Sequence, residues 1–151
     1  MINLLKTTVQ VYEFIEILES LSDELFKAHE NFEVELKNRL PVSLADYVLD
    51  DLARMSVDKT NALQLQHYIK NLCTILAHKP VLKLVLAVRP PQDIIDEIYA
   101  WACNNVNPNV LLDFDQDPKL LAGATVVYKG KYKNCTYGHK ILAALAEVKD
   151  A

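Results

Sequence analysis

From Val11 onward the apolar residues Val11, Phe14, Leu18, Leu21, Leu25, Ala28 and Phe32 recur at alternating spacings of 3 and 4. This heptad stripe predicts one long amphipathic helix. Val9, Tyr12, Ile15, Ile17 and Phe26 widen the apolar surface beyond a strict seam, which places a bundle helix ahead of a coiled coil. After the break at Leu40 and Pro41, Ser43 is positioned to cap a helix carrying Leu44, Val48, Leu49 and Leu52. Ser56 to Asp58 reads as a turn, with Asp58 as cap of a third helix through Leu65, Tyr68, Ile69, Leu72, Ile75 and Leu76. His78, Lys79 and Pro80 end that helix. Residues 1–79 are therefore expected to be a helical region.

Beyond Pro80 the period changes to two, since Leu82, Leu84, Leu86 and Val88 alternate with Lys83, Val85 and Ala87, the pattern of a strand. Pro91, followed by Asp93, Asp96 and Glu97, opens a helix whose apolar face is Ile94, Ile95, Ile98, Ala102 and Val106. Val110, Leu112 and Phe114 then form a second strand, parallel to the first if both lie in one sheet. A third strand over Ala124 to Tyr128, a tight turn at Lys129 and Gly130, and a fourth strand around Tyr132 follow. Thr136 is a possible cap for a closing helix with Ile141, Leu142, Leu145 and Val148. The expected fold class is α+β: the helical region 1–79, then a small mixed β-sheet domain over 80–151 built as strand, helix, strand, hairpin, helix.

Composition narrows the function classes. With 151 residues, 51% hydrophobic and 24% charged, the chain is that of an ordered protein with one core or two small ones. The first 80 residues carry 12 acidic and 8 basic side chains and the remainder 8 of each. That distribution argues against nucleic acid, whose binding needs clustered cations. Lys129, Lys131 and Lys133 fall at alternate positions and are expected on one strand face, as a solvated edge-protecting row ahead of an anion site. No apolar run approaches the roughly 20 residues that span a bilayer, and the N-terminus has neither signal-peptide nor transit-peptide character.

Candidate chemistry is sparse. Gly123, Gly130 and Gly138 make no phosphate loop, and no serine or cysteine stands in a nucleophile elbow. Cys73, Cys103 and Cys135 are expected to be reduced thiols, and among His29, His67, His78 and His139 only His139 stands four residues from a cysteine, Cys135. Asp113, Asp115 and Asp117 alternate and could present oxygens to a divalent cation, although calcium loops need further ligands and a glycine turn. A solvated strand face accounts for them more simply. Trp101 beside Tyr99 reads as a core or interface aromatic. No catalytic, cofactor-binding or metal-binding residue is assigned.

The tract from Asp117 to Tyr132 carries the most specific signal. Asp117 and Pro118, the aliphatics Leu120 and Leu121, Gly123, the strand Val126, Val127 and Tyr128, and the turn Lys129 and Gly130 arrive in one order. This order resembles the C-terminal signature of the delta subunit of F-type ATP synthases, the oligomycin-sensitivity-conferring protein of mitochondria. Ala122 stands where the family has the first of two glycines, and the helical region is shorter than the family's six-helix bundle. The resemblance implies a divergent bacterial-type member: a non-catalytic peripheral-stalk adaptor linking the alpha subunits of the catalytic head to the b subunit during proton-driven ATP synthesis. It implies no cofactor, no nucleic acid, and a place on the cytoplasmic face of the bacterial plasma membrane through the complex alone. Under that reading the stripe Val11, Phe14, Leu18, Leu21, Leu25 and Phe32 is the expected partner face, and Asp117, Pro118, Leu121, Gly123 and Gly130 are structural. A small divalent-cation-dependent enzyme and an unrelated interaction domain remain the alternatives.

Overall fold

Asn31 divides the predicted first helix. In the computed structural model, which describes residues 4–24, 31–120 and 123–136, the stripe begins in α1 (Thr8–Glu24) but Phe32 is the first residue of a separate α2 (Phe32–Arg39). Asn31 is extended, and its side-chain oxygen accepts the Glu33 amide at 3.1 Å. An Asn in this conformation satisfies an amide left free at a helix start, so it marks a beginning and not a helix interior. Leu25 and Ala28 lie outside the described residues. In α2, Glu33 and Glu35 occupy the first turn and Lys37 and Arg39 the last, the arrangement the helix dipole favours.

The next two caps also differ from expectation. α3 (Val42–Arg54) starts one residue before Ser43, because the Pro41 carbonyl already accepts the amides of Leu44 and Ala45 at 2.9 and 3.0 Å. Proline suits this edge, having no amide to satisfy and pushing Leu40 before it into extended backbone. α4 (Ala62–Ala77) is capped by Asn61, whose side chain accepts from Leu63 and Gln64, and not by Asp58. Asp58 instead accepts from the amide and hydroxyl of Thr60, closing the preceding turn.

In the second half, β1 (Val81–Leu86), α5 (Gln92–Asn105), β2 (Leu111–Gln116), β3 (Gly123–Tyr128) and β4 (Lys131–Thr136) build a mixed sheet in the order β2-β1-β3-β4. β1 is parallel to β2 across the α5 crossover and antiparallel to β3, which pairs with β4 as a hairpin. The period of two puts Leu82, Leu84 and Leu112 on one face, where they form a core with Ile95, Tyr99 and Ala102 of α5 and with Val110. Phe114, Val126 and Tyr128 extend it. The outer side of β2 is met by the N-terminal segment: Thr7 bridges Leu112, and the Leu112 amide donates to the Lys6 carbonyl at 2.9 Å.

Lys129 and Gly130 have positive φ angles of 47° and 74°, the handedness a two-residue hairpin requires. This removes Lys129 from the expected lysine row. Lys131 and Lys133, two apart in β4, share a face opposite Tyr128 and Val126. Thr136 is the last residue of β4, and the expected terminal helix lies outside the described residues.

The described fold is α+β, with five helices and one four-stranded sheet among the described residues. It comprises two compact units, Met1–Leu5 with Val9–Lys79 and Lys6–Thr8 with Pro80–Ala151.

Candidate partner-binding groove

The 3-and-4 spacing of α1 places Val11, Phe14, Leu18 and Leu21 on one face, and each is 0 to 4% exposed, as is Phe32 of α2. These residues of the proposed partner stripe therefore belong to the core, while Leu25 lies outside the described residues. The outer side of α1 is mostly polar, with Glu13, Glu16, Glu19 and Asp23 exposed beside Val9 and Tyr12 near its start. A helix sorted in this way has its apolar stripe already occupied, which moves the search for a docking surface elsewhere in the helical unit.

Such a surface lies between the end of α3 and the outer face of α4. Leu63, His67, Asn71 and Ile75 follow each other every four residues along α4 and so form one exposed row. Together with Met55, Val57, Tyr68 and Leu72 they line a groove of about 680 Å³. Met55 is 59%, Leu63 70% and Ile75 63% exposed. Three large apolar side chains around one concavity differ from the scattered exposed hydrophobics of an ordinary surface.

The groove has one carboxylate in its lining. Asp51 is only 8% exposed, and its Oδ2 accepts the Tyr68 hydroxyl at 3.0 Å while its Oδ1 accepts from Arg54. Burial, and then the hydrogen bond to Asp51, hold the Tyr68 hydroxyl far above the usual phenol range. Across α4, sharing Leu63 and His67 with the groove, a second hollow of about 810 Å³ is lined by Glu19, Asp23, Lys70 and Cys73. Burial, with the nearby Glu19 charge, pushes the Cys73 thiol up.

Asp113 and Asp115 of β2 and Asp117 just beyond it stand in three environments. Asp113 accepts the Thr8 hydroxyl at 2.8 Å. Asp115 pairs with Lys83 at 3.3 Å, and that bond, with the Gln116 amide, holds its carboxyl below the usual range. Asp117 accepts the Lys119 amide at 2.9 Å and closes the loop. Among the described residues no cluster of three or more His, Cys, Asp or Glu side chains is arranged to hold a metal. Nor is any of their helices long and apolar enough to cross a membrane. The described cysteines are free, and Trp101 is exposed on α5.

The tract that carried the resemblance forms a loop and hairpin. The Asp117 amide donates to the Leu86 carbonyl at 2.9 Å, and the Leu120 amide returns to the Asp117 carbonyl at 3.0 Å around exposed Pro118. Gly123 enters β3 at a φ of 93°, and Leu121 is outside the described residues. Sequence reading missed Met55 and Leu63. The available signal was that Leu63 and Ile75 end a row whose middle positions, His67 and Asn71, are polar.

No family model and no curated protein matches the chain. Among solved structures it is similar to a chain of the Toxoplasma gondii mitochondrial ATP synthase hexamer. The likeness has 18% identity and a TM-score of 0.35, and covers 91% of this chain and 86% of that one.

Proposed function

We propose that the protein is a non-catalytic peripheral-stalk adaptor of an F-type ATP synthase, linking the alpha subunits of the catalytic head to the b subunit. The helical region 1–79 would take one partner and the sheet region 80–151 another, and the complex would bring the chain to the cytoplasmic face of a bacterial plasma membrane. The observation that carries this reading is the apolar groove flanked by exposed Met55, Leu63 and Ile75. A groove of this kind suits the apolar face of a helix, the means by which an adaptor holds its partners. The loop from Asp117 to Leu120, the entry at Gly123 and the hairpin turn at Lys129 and Gly130 are compatible with the resemblance. Co-purification from native membranes tests it. Alpha and b subunits are expected with the wild-type chain, and one of them is expected to be lost with Ile75→Asp; recovery of neither subunit with the wild-type chain would refute the adaptor role.

A further inference from the structure

We infer that the occupant of the α3–α4 groove is an amphipathic helix that brings one lysine or arginine to Asp51. The inference rests on the groove being the docking site proposed above and specifies what it selects.

Asp51 is a nearly buried carboxylate among the apolar lining of a groove open to solvent. Tyr68 and Arg54 each donate to a different oxygen of it. A carboxylate offers about four acceptor positions, so two remain for a further donor. Arg54 is largely exposed and is not part of the groove lining, whereas Asp51 and Tyr68 both are. A helix laid into the groove would exclude water, and in that setting a charge-assisted hydrogen bond is stronger than in solvent. An apolar residue at the same place would leave those two further acceptor positions without a donor, and an acidic residue would meet a like charge. Met55, Leu63 and Ile75 would take the apolar positions, and Asp51 would fix the register.

The test uses the full chain and a labelled helical peptide with leucines at i, i+3, i+4 and i+7 and a central lysine, norleucine or glutamate on the groove-facing side. Titration by fluorescence anisotropy is expected to show the lysine peptide binding about tenfold tighter than the norleucine peptide, and the glutamate peptide weakest. In Asp51→Asn, which still accepts from Tyr68, the lysine advantage should vanish while norleucine binding persists. The double variant Glu19→Gln with Asp23→Asn changes only exposed groups and should keep the advantage, so it decides the matter even if Asp51→Asn fails to fold. Equal binding of the lysine and norleucine peptides, failure of all three to bind, an advantage that survives in folded Asp51→Asn, or one lost in the double variant would each overturn the inference. The adaptor role is judged separately, by co-purification, which does not depend on the central charge of a designed peptide.

Discussion

The Tyr68 hydroxyl donates to Asp51 Oδ2 over 3.0 Å, joining α4 to α3 across 17 positions of sequence beneath the apolar groove. The bond satisfies a nearly buried carboxylate, and its loss leaves that group short of a donor. Tyr68→Phe is expected to lower stability by about 1 to 3 kcal/mol, read from urea unfolding.

The same bond gives the fold an alkaline limit. Burial, reinforced by Asp51, raises the Tyr68 phenol well above its unfolded value of about 10, and burial with a hydrogen bond to Cys103 pushes Tyr99 up to about 12. A raised folded value means that the native state keeps protons which the unfolded chain releases. This contribution is fully present below pH about 10 and is lost as pH rises through the folded values. Melting temperature should therefore fall from pH 10 upward, and less steeply in Tyr68→Phe. An equal slope in the variant would remove Tyr68 from the account.

Leu18 and Ile75 make opposite predictions. Leu18 is fully buried in α1, so Leu18→Ala is expected to cost about 2 to 5 kcal/mol. Ile75 is exposed on the groove rim, and Ile75→Ala should change stability by no more than about 0.5 kcal/mol. Thermal unfolding separates them, and partner co-purification at matched folded concentration should be impaired only by the Ile75 change. A large stability loss from Ile75→Ala would assign that side chain to the core.

Helices and strands were legible because burial follows their periods: 3 and 4 in α1, two in β1. Periodicity identifies which side chains share a face, but not whether that face meets the chain's own core or another molecule. For this reason the spacing identifies Val11, Phe14, Leu18 and Leu21 as one helix face without saying that this face is buried. Caps were less legible, since Ser43 and Asp58 are good capping residues that lose to Pro41 and Asn61 through local geometry. Spacing places Leu63 and Ile75 in one row of α4 but does not reveal the groove. The groove requires Met55, beyond the end of α3, to stand beside Leu63 and Ile75 of α4, a juxtaposition set by packing.

The cysteines should differ in reactivity. Cys135 is exposed in β4, whereas Cys73 is half-buried and its thiol is pushed up by burial and by Glu19. Because the thiolate is the reacting form, Cys73 should label slowly at neutral pH and Cys135 rapidly. With a chromogenic disulfide reagent, Cys135→Ser should remove the fast phase and leave the slow one. Retention of a fast phase would transfer it to another thiol.

Gly130 tests the hairpin itself. Its φ of 74° lies in the left-handed region, and an added Cβ would meet nothing within 4 Å. Any cost of Gly130→Ala is therefore conformational and not steric against neighbours. About 1 kcal/mol is expected, with a larger loss for Gly130→Val because β-branched residues tolerate positive φ least. Lys129, at a φ of 47°, is a non-glycine residue in the same region, so Lys129→Asn should stabilise the turn by a few tenths of a kcal/mol, asparagine being the side chain that best accepts this conformation. Urea unfolding of the three variants should rank them with Lys129→Asn highest and Gly130→Val lowest. A neutral Gly130→Val would show that β3 and β4 hold their pairing without the turn.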